Sequence, residues 1–206
     1  MNARIGTDEA GKGDFFGYLT VAAVYVDEET ESMLTAAGVK DSKLLSDAQV
    51  MRLERLVKKT CPFDVVRISP ERYNRLYAKL KNLNTLLGWA HARAIENLLQ
   101  NVGCKTVIAD QFGNKRILEE SLMKKGRTVH LVQKTHAESD VAVAAASILA
   151  RAEFLRTLDA LSKSCRIKLP KGAAHVVETA RNIARTRGRE FLNAVAKTHF
   201  KTMKKL

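Results

Sequence analysis

A segment of eight residues, LTVAAVYV at Leu19–Val26, limits the fold of this chain more than any other feature. Its small and β-branched residues, without a charge, are typical of a buried strand. Four further segments have strand-like patterns: Ala3–Asp8, Phe63–Ile68, Cys104–Ala109 and Thr128–Gln133. Strands come first, then strands alternate with helices, and helices end the chain. This order predicts an α/β fold with a mixed central β-sheet flanked by helices and a helical C-terminal region.

Local signals mark where the helices begin. Ser46 and Gln49 have the spacing of a capping box, and Ser69–Pro70 offers an N-cap followed by proline at the first helical position. Apolar residues at helical spacing indicate the remaining helices. The predicted helices run over about Ser46–Lys59, Ser69–Leu80, Asn84–Asn101, Ser139–Leu161, Ala174–Thr186 and Arg189–Lys197.

The charge of the chain is strongly basic and unevenly distributed. The 206 residues carry a net charge of +13, and from Arg151 onwards there are 14 basic and 4 acidic residues. A basic surface concentrated in one third of a chain favours binding to a polyanion, most often nucleic acid. Without a repeat or a linker, residues 1–206 are predicted to form a single domain whose basic helical part covers about 164–206.

The pattern of cysteines and the lengths of the apolar segments indicate the cellular compartment of the protein. Three cysteines, Cys61, Cys104 and Cys165, are scattered and odd in number, which argues against a disulfide framework or a zinc site. The first residues lack the apolar run of a signal peptide, and no apolar stretch is long enough to span a bilayer. We therefore expect a cytoplasmic protein that does not bind membranes.

Several carboxylates fall where a surface charge is unexpected. Asp8 and Glu9 close a strand that should be buried, and Asp110 ends the apolar strand CKTVIA. Glu138 and Asp140 precede an Ala-rich helix. Since buried carboxylates are costly unless they are paired or bind a metal, these segments suggest an acidic cluster for Mg²⁺ or Mn²⁺. The alternative is that they are ordinary turn residues and helix N-terminal charges.

An acidic centre in a basic chain suits a phosphodiesterase, in which metal ions activate water and stabilise the leaving oxygen. The turn Gly11-Lys12-Gly13 directly follows Asp8-Glu9. Its glycines would let backbone N–H groups approach a phosphate or a ribose hydroxyl. The histidines suggest no other catalytic centre, and His91 is predicted to be a helix-surface or capping residue.

Several motifs resemble those of the type 2 ribonucleases H. GTDEAGKGDFFG at Gly6–Gly17 is similar to the family's opening motif, and its GKG form is similar to that of ribonuclease HIII. Five further segments resemble ribonuclease HIII: LKNLNTLLGWAHARAIENL, IADQF, AVAAASILAR, LPKGAAHVV and VAKTHFKT. They cover nearly the whole chain in the family's order. Ribonuclease HII, the second resemblance, usually carries GRG in the opening motif.

The resemblance implies a ribonuclease H-like fold and an endoribonuclease that cleaves the RNA strand of RNA–DNA hybrids. Two Mg²⁺ or Mn²⁺ ions would act together and leave 5′-phosphate and 3′-hydroxyl ends. The family's metal-binding and catalytic carboxylates match Asp8, Glu9, Asp110 and Glu138. Asp140 is a rival for the fourth position, because the segment after Glu138 is about one residue shorter than expected. Residues two apart on a helix point about 200° apart, so only one can face the site, and we favour Glu138.

The resemblance also implies substrate contacts. Gly11, Lys12 and Gly13 would read the 2′-hydroxyls of the RNA strand, and Ser42 and Lys43 would lie near the substrate backbone. A monomer needing no protein partner is expected. Ribonuclease HIII usually begins with a substrate-binding domain, whereas this chain starts at the catalytic strand, so either the basic C-terminal third replaces it or hybrid affinity is lower. The Gly-Tyr segment with which ribonuclease HII recognises a single ribonucleotide is missing.

Three alternatives remain at this level. The chain could be a DNA nuclease of the same fold, which the turn for 2′-hydroxyls argues against. It could be a non-catalytic protein that binds RNA or hybrids and whose carboxylates are structural. A basic surface that meets anionic lipid is the weakest alternative, because no amphipathic anchor or lipidation motif is present.

Overall fold

The computed structural model describes residues 3–206. These residues form a mixed five-stranded sheet with the strand order β3-β2-β1-β4-β5, and β4 is parallel to both β1 and β5. The strands are β1 (Arg4–Ala10), β2 (Leu19–Val26), β3 (Phe63–Ile68), β4 (Thr106–Asp110) and β5 (His130–Lys134). The predicted α/β fold with a mixed sheet is confirmed.

Helices fill most of the intervening sequence. They are α1 (Glu28–Ala36), α2 (Asp47–Thr60), α3 (Pro70–Leu80), α4 (Leu83–Leu98), α5 (Lys115–Ser121), α6 (Val141–Cys165), α7 (Val177–Arg187) and α8 (Leu192–Val195). The capping box of Ser46 and Gln49 is present at α2. The sequence prediction missed α1 and α5. Of these, α1 buries only Thr30 and Leu34, so it lacks a clear apolar stripe, although Asp27 and Thr30 form a capping box that could have indicated it.

Two predicted helices differ from the observed ones. Helix α6 begins at Val141 and not at Ser139, because Asp140 has an extended backbone and its carboxylate accepts from the Ala142 N–H. The preceding residues, Ala137–Ser139, form a separate 3₁₀ turn. Near the C-terminus, the predicted helix from Arg189 to Lys197 is a 3₁₀ turn, Arg189–Phe191, followed by the short α8.

The chain divides into two compact units. The first comprises the chain up to Glu9, Val21–Val66 and Asn82–Ala152, and the second comprises Ala10–Thr20, Arg67–Lys81 and Glu153–Leu206. The prediction of a single domain stays a prediction. Among residues 3–206, no helix combines the length and the apolar character needed to cross a membrane.

In the first unit, the start of α6 packs very closely on strand β1. A Cβ atom on Gly6 would lie 2.1 Å from the carbonyl carbon of Ala142, so only glycine fits there. The small residues of α6, Ala142 and Ala145 among them, are buried and permit this approach. The helix start is thereby fixed next to the end of β1, where Asp8 lies two residues beyond Gly6.

The second unit has its own apolar core. Its members are buried side chains from the chain segment after β1, from the second half of α6 and from the C-terminal helices: Phe15, Phe16, Phe154, Leu158, Cys165, Leu169, Val176, Ala180, Ile183, Leu192, Val195 and Ala196. The rings of Phe15 and Phe16 meet edge to face at 4.8 Å between centroids. Burial of this set stabilises the Gly11–Gly17 segment, which is otherwise a loop.

Candidate active site

Strand register brings two of the predicted carboxylates together. Thr7 on β1 pairs with Ala109 on β4 in a parallel ladder, so the next residues, Asp8 and Asp110, stand at the same edge of the sheet. Gly6 faces helix α6, and Asp8, two residues further along the strand, shares that face. The strand order therefore places both carboxylates beside the start of α6.

Asp8 lies in an environment that disfavours its negative charge. Burial raises the pKa of Asp8 well above its usual range, and the neighbouring charges of Glu9 and Asp110 raise it further. The Glu9 backbone N–H, which donates to Asp8 Oδ1 at 2.8 Å, and the charge of Lys43 oppose this rise. Asp8 is thus a crowded anion with insufficient positive charge around it.

The 3₁₀ turn that carries Glu138 is bonded to Asp110. The backbone N–H of Ala137 donates to Asp110 Oδ1 at 3.4 Å, which ties the 3₁₀ turn to the end of β4. A hydrogen bond from its own backbone, the nearby His136 and the charge of Lys43 lower the pKa of Glu138. Glu138 therefore stays ionised, as a metal-binding carboxylate must.

Asp140 has a structural role that uses its carboxylate. Arg4 Nε donates to Asp140 at 2.8 and 3.0 Å, and the Ala142 N–H donates to Asp140 Oδ1 at 2.9 Å. Arg4 also pairs with Glu31 through two hydrogen bonds. These contacts favour Glu138 over Asp140 as the fourth carboxylate. The sequence argument from helical angles does not apply, since Glu138 lies ahead of α6.

Lys43 is exposed and close enough to influence both Asp8 and Glu138. It lies in the 3₁₀ turn Ser42–Leu44, which is fixed to α6. The Ser42 N–H donates to Ser147 Oγ at 3.1 Å, and the Arg151 guanidinium donates to the Ser42 carbonyl oxygen. Ser42 itself is 6% exposed. The turn therefore presents the Lys43 side chain, while the backbone of Ser42 anchors it.

His91 was predicted to be a helix-surface or capping residue, and this prediction was wrong. Its side chain is 1% exposed, with Nδ1 2.9 Å from Thr7 Oγ1 and Nε2 3.1 Å from Glu9 Oε2. Helix α4 packs on the face of β1 that bears Thr7 and Glu9. A usable signal was present, because His91 continues the helical spacing of the buried residues Leu87 and Leu98.

The Gly11-Lys12-Gly13 turn belongs to the second unit. Gly11 has a φ of +86°, and a Cβ there would lie 2.2 Å from the Tyr18 carbonyl oxygen, so glycine is required. Nothing lies within 4 Å of the corresponding position on Gly13, which leaves that side of the turn open.

A buried lysine that the sequence analysis missed holds the segment after this turn. Lys197 is fully buried, and its Nζ donates to the carbonyl oxygens of Asp14 at 2.9 Å and Gly17 at 2.7 Å. Burial lowers the pKa of Lys197 to about 7, and the charge of Asp14 partly offsets this effect. In the sequence, Lys197 ends the helix predicted from Arg189 and is one of many cations in the basic C-terminal part.

The donor set suits a hard divalent cation, although its members are not arranged as a closed ligand shell. In the part of the chain that the structure describes, no three His, Cys, Asp or Glu side chains already form a metal-binding group. The mutual repulsion of Asp8, Glu9 and Asp110 is what a bound cation would relieve, and carboxylate oxygens are the ligands that Mg²⁺ and Mn²⁺ prefer.

Known proteins match nearly the whole chain. The family model described as Ribonuclease HII matches residues 5–203. The ribonuclease HIII of Protochlamydia amoebophila (strain UWE25) is 46% identical over 204 residues, which are 98% of this chain and 68% of the relative. The ribonuclease HIII of Chlamydia pneumoniae is 47% identical over 206 residues, covering 98% and 69% respectively.

A solved structure agrees with these relatives. The crystal structure of Bst-RNase HIII in complex with Mn²⁺ superposes with a TM-score of 0.92 at 36% identity, over 99% of this chain and 68% of that one. The resemblance inferred from the motifs is therefore confirmed, and so is the ribonuclease H-like fold. This chain belongs to the ribonuclease HII family of hydrolytic endonucleases and is similar to those of its members that are named ribonuclease HIII.

Proposed function

We propose that this chain cleaves the RNA strand of RNA–DNA hybrids by metal-dependent hydrolysis, leaving 5′-phosphate and 3′-hydroxyl ends. Membership of the ribonuclease HII family supports the reaction class. The net charge of +13 supports a nucleic-acid substrate, because Lys and Arg neutralise phosphates and release counterions. RNA–DNA hybrid is thus the expected binding partner.

One observation carries the proposal: Asp8 is an anion made costly by burial, by Glu9 and by Asp110. The repulsion within such a cluster is relieved either when a carboxyl takes up a proton or when a cation binds, and a bound divalent cation keeps all the carboxylates ionised. Bst-RNase HIII, a structural relative, was crystallised with Mn²⁺. We assign two Mg²⁺ or Mn²⁺ ions to the carboxylates Asp8, Glu9, Asp110 and Glu138.

The bound ions would supply an activated water and charge stabilisation at the leaving oxygen. The protein's own contribution is to orient the ligands and the phosphate. Asp8 and Asp110 are fixed by adjacent parallel strands, and Glu138 is fixed by the turn bonded to Asp110. Lys43 is exposed beside these carboxylates, so its ammonium group can bind a non-bridging oxygen of the scissile phosphate.

The turn of Gly11, Lys12 and Gly13 is assigned to the ribose hydroxyls of the RNA strand. Its Gly13 side is open, which lets a sugar approach the backbone, and the 2′-hydroxyl is the group that distinguishes RNA from DNA. Ser42 contributes to substrate binding by holding the turn that carries Lys43, with its own side chain largely enclosed.

Three further assignments complete the proposal. The chain acts as a monomer, needs no protein partner for cleavage, and works in the cytoplasm. Residues 1–206 form one catalytic domain. A DNA nuclease of this fold would not need a turn for ribose hydroxyls, and a non-catalytic binding protein would not need crowded carboxylates, so neither alternative is favoured.

The deciding experiment is cleavage of an end-labelled RNA–DNA hybrid with Mg²⁺ or Mn²⁺. DNA duplex, RNA duplex and DNA containing a single ribonucleotide serve as parallel substrates, and Asp110→Asn serves as the inactive control. We expect metal-dependent cutting of the RNA strand that is lost in the variant. Tight hybrid binding without cutting in either metal would contradict the enzymatic proposal, and equal cutting of DNA duplex would contradict its specificity.

A further inference from the structure

His91 is a buried polar ring whose two nitrogens both face residues of strand β1. Nε2 lies 3.1 Å from Glu9 Oε2, and Nδ1 lies 2.9 Å from Thr7 Oγ1. Only 1% of the side chain is exposed. A ring of this polarity costs free energy when buried, unless its nitrogens are hydrogen-bonded. The two contacts therefore explain why an imidazole can occupy this position.

The partners of His91 are themselves fixed. Thr7 is fully buried, and its hydroxyl donates to the Ala22 carbonyl oxygen on β2 at 2.8 Å. The ring of Phe112, just beyond the end of β4, stacks on the imidazole with 5.0 Å between centroids. The imidazole is thus held by the sheet on one edge and by an aromatic ring on its face, so it has little freedom to turn.

Through the His91 ring, the sheet restrains the Glu9 side chain. Glu9 lies at the end of β1, and its side chain is 11% exposed. With Oε2 directed at His91, the plane of the Glu9 carboxylate is oriented. Groups that hydrogen-bond a metal-ligating side chain commonly raise metal affinity, and their loss costs about 10–100-fold.

We infer that His91 is a positioning residue, which holds the Glu9 carboxylate in the orientation needed to bind the divalent cation. The inference rests on the proposed function, because it assumes that Glu9 is a metal ligand. The critical contact is the one through Nε2; the contact of Nδ1 with Thr7 serves to aim the ring.

Two substitutions separate the two nitrogens. In His91→Gln the amide nitrogen replaces Nε2 and can still donate to Glu9, whereas in His91→Asn the shorter amide reaches only the position of Nδ1. Both variants lose the ring that stacks on Phe112, and His91→Asn lacks one further buried methylene, which lowers its stability further. The measurements are the Kd of Mn²⁺ for the full chain without nucleic acid, by calorimetry, and the Tm of each variant.

We expect His91→Asn to weaken Mn²⁺ binding by about 10–100-fold. His91→Gln should bind Mn²⁺ nearly as tightly as the natural chain, while the Tm falls in both variants and somewhat further in His91→Asn. The Mn²⁺ concentration for half-maximal hybrid cleavage should rise only in His91→Asn.

Two outcomes would overturn the positioning role. One is an unchanged Mn²⁺ affinity in His91→Asn, and the other is an equal loss in both variants, which would indicate a packing role alone. Glu9→Gln distinguishes this failure from failure of the proposed function. If Glu9→Gln weakens Mn²⁺ binding and His91→Asn does not, only the role of His91 is wrong; if Glu9→Gln also binds normally, the assignment of Glu9 as a ligand falls as well.

Discussion

A partly buried carboxylate in one unit and a fully buried lysine in the other differ in the charges and hydrogen-bond partners around them. Asp8 in the first unit is surrounded by other carboxylates, and its pKa is raised. Lys197 in the second unit donates to two backbone carbonyls, and its pKa is lowered to about 7. The lysine has the partners that a structural charge needs, whereas the aspartate lies in excess negative charge, as a ligand for an added cation would.

The largest expected effect is at Asp8, whose negative charge is repelled by the neighbouring carboxylates. Asp8→Asn should lower hybrid cleavage by about 10²–10³-fold, because loss of metal-based charge stabilisation costs several kcal/mol. Removing this partly buried charge, which Glu9 and Asp110 repel, should also raise the Tm of the metal-free protein. Mg²⁺ should stabilise the natural chain and not the variant, as thermal melts with and without a chelator will reveal. A lower metal-free Tm in Asp8→Asn would contradict the crowding argument.

A matched pair of variants compares the two carboxylates near the start of α6. Glu138→Gln should lose most cleavage at nearly unchanged Tm. Asp140→Asn should lose about 1.5–3 kcal/mol of unfolding free energy, since its charged hydrogen bonds with Arg4 are weakened, while it keeps substantial cleavage well below its Tm. Cleavage rates and urea unfolding measure both. The reverse pattern would make Asp140 the fourth ligand.

A smaller effect is expected at the cation nearest the carboxylates. Lys43→Ala should reduce kcat/KM by about tenfold, because one charge-assisted contact to the phosphate is lost. Lys43→Arg keeps the charge and serves as the control. Unfolding free energy should change little, since Lys43 is exposed. If Lys43→Ala cleaved the hybrid as fast as Lys43→Arg, the charge of Lys43 would have no role at the site.

The last prediction concerns the buried lysine, whose substitution should change the pH dependence of stability and leave cleavage chemistry untouched. With a pKa near 7 in the folded chain and the ordinary value of 10.5 when unfolded, Lys197 binds fewer protons in the folded state between these limits. Unfolding free energy should therefore rise with pH above about 7, by up to ~1.4 kcal/mol per pH unit. Below pH 7 this contribution should be constant. Lys197→Met should lack the rise in urea unfolding at pH 7 and 9, and an identical slope in the variant would refute the assignment.

Local sequence patterns were sufficient to predict much of the secondary structure. The apolar run Leu19–Val26 and the capping box at Ser46 act through neighbours in sequence, so β2 was predicted with its observed bounds and α2 to within a residue. Helix α1 was missed because it has no apolar stripe that a sequence pattern could show. One of its stabilising contacts joins Glu31 to Arg4, a residue distant in the sequence.

The carboxylates were predictable to different degrees. Asp8 and Asp110 end apolar strands, and parallel strands in one sheet bring their carboxyl ends to one edge, so their proximity followed from sequence. Glu138 and Asp140 could not be separated in this way. Only the contact of Asp140 with Arg4, 136 residues away, assigns it to a structural ion pair.

The sequence by itself determined the α/β order of elements, the strand ends that carry Asp8 and Asp110, and the motifs of the ribonuclease HII family. Tertiary structure alone decided that the His91 ring meets Glu9 and that Lys197 is enclosed by backbone carbonyls. The physical reason is the same for both. A polar residue at a helical or terminal position shows the same local pattern whether water or a distant part of the chain satisfies it, and only packing decides between them.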